Sequence, residues 1–140
     1  MRQNLRWLAS VELVIGILGE SAYYQNGEGF SLVDIAIVNE FGSDDGRIPE
    51  RAAHRTTFRE QKAAMLRRMN GVIRLTIDGK SPSQALDKLG LYYTAKLRAQ
   101  IIAWSIPANA PATIAKKGAD NPLIDTGRTL NATQHKVRKK

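Results

Sequence analysis

Apolar positions change their spacing from one stretch of the chain to the next. Val11 to Leu18 is a nearly continuous run rich in β-branched residues, which predicts a strand with its alternation blurred by burial on both faces. Ser21 to Phe30 is polar, and Gln25-Asn26-Gly27-Glu28-Gly29 is turn chemistry. Ser31 then opens a helix. Asp34, three residues on, completes an approximate capping box, and Gly42 ends the segment. Its apolar positions Leu32, Ile35, Ala36, Val38 and Phe41 leave Asp34, Asn39 and Glu40 on the more exposed side. Ser43 to Pro49 is a polar loop.

From roughly Glu50 to Ile77 the spacing becomes that of a long helix. At about 100° per residue, Phe58, Met65, Met69, Val72 and Ile73 share a core-facing stripe, with Arg67 and Arg74 opposite. Gly71 weakens the helix, and Val72 to Ile77 after an Asn70-Gly71 turn is also compatible with a short strand. Asp78-Gly79 closes the segment. Ser81-Pro82 supplies an N-cap and a first-turn proline for a second helix, Pro82 to about Trp104. Its stripe is Leu86, Leu89, Tyr93, Leu97, Ile101 and Trp104, with Gly90 on the same face allowing close approach. The expected architecture is α+β: a small antiparallel sheet packed against a long two-helix hairpin, in a single domain with extended loops.

At 140 residues the chain forms one domain with a core that needs no covalent staples. The domain is expected over residues 1–134. Residues 135–140, HKVRKK, then read as a basic, solubilising C-terminal tail. No apolar run approaches the roughly 20 residues of a membrane span, and Glu12 interrupts the first apolar stretch, which argues against a signal peptide. The expected compartment is the cytoplasm of the cell that makes the chain. Lys and Arg number 21 against 13 Asp and Glu, a formal net charge of +8, which favours an acidic partner surface or nucleic acid. Arginines recur at positions 47, 51, 55, 59, 67, 68 and 74, a spread that first suggests a solvated helix face.

Catalytic chemistry is not visible. Zero cysteines and two separated histidines, His54 and His135, cannot build a thiolate or zinc site, and no nucleophile-base spacing or phosphate-binding glycine loop occurs. Asp44-Asp45-Gly46 is a turn rather than a cation loop. No enzyme activity, cofactor or metal is expected. Nucleic-acid binding would need exposed rings beside a basic groove. Tyr23-Tyr24 has acidic neighbours, and Phe58, Tyr92-Tyr93 and Trp104 lie on or beside the core stripes, so this is the alternative function rather than the first.

The most specific stretch is Asn109 to Leu130. Pro111 and Pro122 bracket a basic turn, Thr113 to Gly118, and Leu123-Ile124 runs into Asp125-Thr126-Gly127, where Asp125 or Thr126 can cap a short helix. The order Thr113-Ile114, Lys116-Lys117-Gly118, Pro122-Leu123-Ile124-Asp125-Thr126-Gly127 resembles the C-terminal signature of the tailed-bacteriophage head-tail joining and tail-completion (neck) proteins. Ala36 followed by Asn39-Glu40-Phe41-Gly42, and Ile48-Pro49-Glu50-Arg51, resemble that family's short-helix ending and its turn into the long helix. The likeness runs from about residue 11 to 130 in the same order. It departs at Ala52-Ala53 and Arg55-Thr56, where many relatives carry Pro-Phe and a later Arg-Pro, so the helix entry is the part it leaves open.

The resemblance implies a non-catalytic structural protein of the virion neck, made in the host bacterial cytoplasm. It would form a sixfold or twelvefold homo-oligomeric ring between portal-side connector proteins and tail terminator or tail tube proteins, with non-specific contact to channel DNA and none to membrane. Candidate interface residues are Asn39, Glu40, Arg47, Ile48, Lys116, Lys117, Asp125, Thr126 and Arg128. For Asn39 to Gly42 a fold role stands beside the interface role: Phe41 as a core plug and Gly42 as a left-handed helix cap.

Overall fold

The computed structural model describes residues 1–18, 29–124 and 126–140. In chain order the elements are α1 (Arg2–Ser10), β1 (Val11–Ile17), α2 (Leu32–Phe41), α3 (Ala53–Ile77), α4 (Ser83–Ala103), α5 (Pro111–Lys117), α6 (Arg128–Ala132) and β2 (Thr133–Lys139). The α+β expectation is met: an antiparallel two-stranded sheet lies on a hairpin of two long helices. Most of the turn expected at Gln25 to Gly29, together with Tyr23-Tyr24, falls outside the described residues.

The largest correction concerns the last residues. All of HKVRKK but Lys140 lies in β2 and is not a separable tail; the strand pairs along its length with β1, from Thr133 opposite Ile17 to Lys139 opposite Val11. Pairing turns charge repulsion into alternation. His135 and Val137 point with Ile15 and Leu13 toward the helices, while Lys136 and Arg138 take the other face, where Arg138 Nε donates to Glu12 at 2.7 Å. The nine-residue helix α1 ahead of β1 was also unforeseen. Trp7 and Leu8 pack on the core beside Val11, Leu86 and Leu89, and Asn4 Nδ2 donates to the carbonyls of Gly79 and Lys80 at 3.0 Å, tying α1 to the α3–α4 turn.

Helix α4 buries the expected stripe, Leu86, Leu89, Gly90, Tyr93, Leu97 and Ile101. Helix α3 runs unbroken through Gly71, so the strand option for Val72 to Ile77 is excluded, but its buried face is rotated from the expected one. Ala53, Thr57, Val72 and Thr76 are buried, whereas Phe58 and Ile73 are exposed. The physical reason lies in the threonines. Thr57 Oγ1 donates to the Ala53 carbonyl at 2.7 Å and Thr76 Oγ1 to the Val72 carbonyl at 2.8 Å. Each hydroxyl is satisfied by its own helix, which frees its methyl group to pack in the core.

Candidate assembly surface

Helix α3 starts without a cap of its own. Ala52 stands at the N-cap position and has no oxygen to offer the free N–H groups of the first turn. Glu40, from the end of α2, supplies it. Glu40 Oε2 accepts from the His54 N–H at 3.0 Å and Oε1 from the Arg55 N–H at 2.9 Å, placing a carboxylate on the positive end of a 25-residue helix. The side chains follow: His54 Nδ1 lies 3.3 Å from Oε2, Arg55 Nε donates to Oε1 at 3.2 Å, and Arg55 Nη2 donates to the Glu40 carbonyl at 2.7 Å and to Glu50 at 2.8 Å. Glu40 is therefore 7% exposed, contrary to the expectation that it faces outward.

The neighbouring motif residues close the same unit. Asn39 Nδ2 donates to the Ile35 carbonyl, and the Asn39 carbonyl accepts from the Arg51 N–H at 2.7 Å. Gly42 has φ +79°, and a Cβ there would lie 3.0 Å from the Ile48 carbonyl oxygen and 3.1 Å from the Glu50 nitrogen. Only glycine fits both the dihedral and the gap. Its ψ of 175° makes it an extended exit rather than the expected left-handed cap. Phe41 is no core plug either: it is 61% exposed, with the Arg55 guanidinium 4.7 Å over its ring.

Arg51 carries the unit across the fold. It is 5% exposed, and burial lowers its pKa against an opposing pull from Asp120. Nε donates to the Pro107 carbonyl at 3.0 Å and Nη2 to the Ala108 carbonyl at 3.1 Å. The segment beyond is pinned in turn. Asp120 accepts from the Asn109 N–H, and Asn121 Oδ1 accepts from the N–H groups of Leu123 and Ile124 while its Nδ2 donates to the Ile102 carbonyl. Leu123 and Ile124 rest on the core cluster of Ala53, Tyr93, Leu97 and Ile101.

The basic stretch after Pro111 is a helix, α5, rather than a turn: Pro111 occupies its first turn and Gly118, at φ 71°, ends it. Its lysines differ. Lys117 Nζ donates to the Asn121 carbonyl at 2.8 Å, whereas Lys116 is exposed and has no partner among the described residues. Asp125 lies outside the described residues. Thr126 is exposed and does not cap α6, whose N-cap is Gly127 with no side-chain bond. Arg128 is exposed at the start of α6. Arg47 pairs with Asp45 on the surface at 3.2 Å, next to Ile48, which is 40% exposed.

The candidate set thus divides. Glu40 is buried and Asn39 half-buried, both bonded inside the fold, while Arg47, Ile48, Lys116, Thr126 and Arg128 remain on the outside. Arg51 and His54 were missed as members of the unit. The signal for them was Ala52, because a long helix that opens on a residue with no capping oxygen must take one from elsewhere. Among the described residues no group of three or more His, Asp or Glu side chains is placed to hold a metal ion, and no helix is long and apolar enough to cross a membrane.

Comparisons with known protein families, with curated proteins and with solved structures found no match to this chain.

Proposed function

We propose that the chain is a structural, non-catalytic virion protein of a tailed phage or prophage, a ring-forming subunit that joins the head connector to the tail. The observation that carries this reading is the convergence of the resembling motifs. Asn39-Glu40-Phe41-Gly42, Ile48-Pro49-Glu50-Arg51 and the Pro107-Ala108 lead into the third stretch are bonded into one unit: the Asn39 carbonyl accepts from the Arg51 N–H, and the Arg51 guanidinium donates to the Pro107 and Ala108 carbonyls. Motifs that hold each other in place specify a scaffold, and a scaffold suits a subunit whose work is docking. A closed ring needs two different side surfaces on each copy. Apolar side chains stand exposed on several elements, including Ile37 and Phe41 on α2, Leu91 and Ile102 on α4, and Ile106 in the following loop.

Sedimentation of the purified protein with negative-stain imaging tests the reading. The expected result is ring-shaped oligomers, or neck density in particles assembled with the neighbouring head and tail proteins. A second reading, a small basic nucleic-acid-binding protein, is favoured by the unpaired cations of α3. A chain that stays monomeric at high concentration and binds duplex DNA tightly, with steep salt dependence, would establish it over the first.

A further inference from the structure

The cations of α3 divide into two groups once the side chains are placed. Arg55 is held by Glu40, Glu50 and the Phe41 ring, and Arg68 stacks on Tyr92 with its guanidinium carbon 3.9 Å from the ring centre. Arg59, Lys62, Arg67 and Arg74 have no hydrogen-bond, ion-pair or ring partner among the described residues, and all four are exposed. Glu60 is the one carboxylate in the α3 sequence. The same outward side carries large apolar side chains in the open: Leu66 at 57%, Ile73 at 38% and Ile77 at 51% exposure. At about 100° per residue, Leu66, Ile73 and Ile77 form a ridge within one narrow sector, with Arg59 at its edge and Arg67 and Arg74 along one flank. From Leu66 to Ile77 the ridge is about 17 Å long.

We infer that the outer face of α3 is a docking surface for a partner protein whose contact patch is an apolar strip bordered by carboxylates. Each feature excludes a different occupant. A DNA backbone would satisfy the guanidinium groups but would set phosphates against Leu66 and Ile73, which gain nothing from them. A second copy of this chain, itself carrying +8, would oppose guanidinium to guanidinium if it docked through the same face. An acidic, apolar-centred protein surface removes the ridge from water and pairs the flank together, with the charges setting register and partner choice. The inference goes beyond the neck reading and does not depend on ring closure.

The test uses the full chain and a synthetic helical peptide with a leucine stripe flanked by glutamates. Three controls accompany it: a scrambled peptide of the same composition, a mixed-sequence duplex DNA, and vesicles of phosphatidylserine and phosphatidylcholine. Two multiple variants are compared with the parent, Arg59→Glu with Arg67→Glu and Arg74→Glu, and Leu66→Ser with Ile73→Ser. Both sets of residues face solvent, and thermal melts by circular dichroism confirm that the fold is retained. The patterned peptide is expected to bind saturably, and at least about tenfold more weakly to either variant; the scrambled peptide should bind the parent at least about tenfold more weakly. Equal binding of the two peptides reduces the face to bare charge and overturns the inference. So does DNA binding that matches the peptide and ignores the Leu66 and Ile73 changes, or vesicle binding that exceeds the peptide and needs both groups.

Discussion

The imidazole of His135 fills the space that a side chain at position 90 would enter: a Cβ built on Gly90 meets the His135 Cγ at 2.6 Å. Nε2 of the same ring contacts Asp87 Oδ1 at 2.9 Å, one helical turn before Gly90, so β2 is seated on α4 by shape and by a polar contact together. Gly90→Ala should therefore destabilise the protein. Alanine is worth about 1 kcal/mol over glycine in a helix interior, but forcing a methyl group into this contact costs about 1–3 kcal/mol. In a His135→Ala background the same change should be neutral or stabilising. A double-mutant cycle in urea measures the coupling, and equal effects in both backgrounds would show that the ring does not need the glycine.

The C-terminal strand should be indispensable to the fold. Removing His135 to Lys140 strips five of the seven β1 partners and uncovers Leu13 and Ile15, which rest on the core. It also removes the bonds from Lys140 to the carbonyls of Ser10 and Ala9. An isolated strand left on a helix pair exposes a row of unpaired backbone groups. The truncated chain should lose its cooperative thermal transition or aggregate. A melt matching that of the full chain would restore the view of this segment as an appendage.

Glu40 should behave as a structural carboxylate. Glu40→Ala leaves two first-turn N–H groups of α3 unpaired, which costs about 1–3 kcal/mol. Arg55 is 51% exposed on its side chain, so water screens the ion-pair part and the backbone bonds carry most of the effect. Glu40→Gln should lose less than Ala because its carbonyl still accepts one of the two. The falling order is checked by chemical unfolding, and an alanine variant as stable as the parent would remove the cap from the account.

Helix α4 was legible because its large apolar residues recur at helical spacing and nothing competes for them. The capping box of α2 was equally plain: Ser31 accepts from the Asp34 N–H, and Asp34 accepts from the Ser31 N–H. Sequence patterns misled where a residue's polarity was settled by a distant or intrahelical partner. Thr57 and Thr76 counted as polar although their own helix satisfies them. Glu40 counted as surface because its partners lie fourteen and fifteen residues on, past a loop. HKVRKK counted as a tail because charge density hides the alternation that only β1 reveals. Asn39, Glu40 and Gly42 are held by the fold itself, through internal bonds and a close backbone approach.

Lys116 and Lys117 should separate in their effects. Lys117→Glu breaks the bond to the Asn121 carbonyl and brings a carboxylate to that oxygen, loosening the residue that holds Leu123 and Ile124. A lower melting temperature is expected. Lys116→Glu touches no internal partner, so it should leave the melt unchanged while weakening association in a salt-dependent way, the signature of an exposed contact charge. On the proposed neck role, normal head-tail joining by the Lys116 variant at low salt would count Lys116 out as a contact residue.

Acid should weaken the α2 capping box within a definable window. The Ser31 hydroxyl first, and then the Ser31 backbone N–H, hold the Asp34 carboxyl below its ordinary value of 3.8. A carboxylate whose folded pKa is depressed contributes stability that is complete above the unfolded value and is lost as pH falls through the folded one. Asp34→Asn removes that contribution. The gap in melting temperature between parent and variant should stay constant from neutral pH to about pH 4 and close below it. Asp45, lowered in the same direction mainly by the Ser43 hydroxyl, titrates in both proteins and cancels in the comparison. A gap that persists undiminished at about pH 2 would mean that the Asp34 charge is not its source, leaving the shape of the side chain as the stabilising feature.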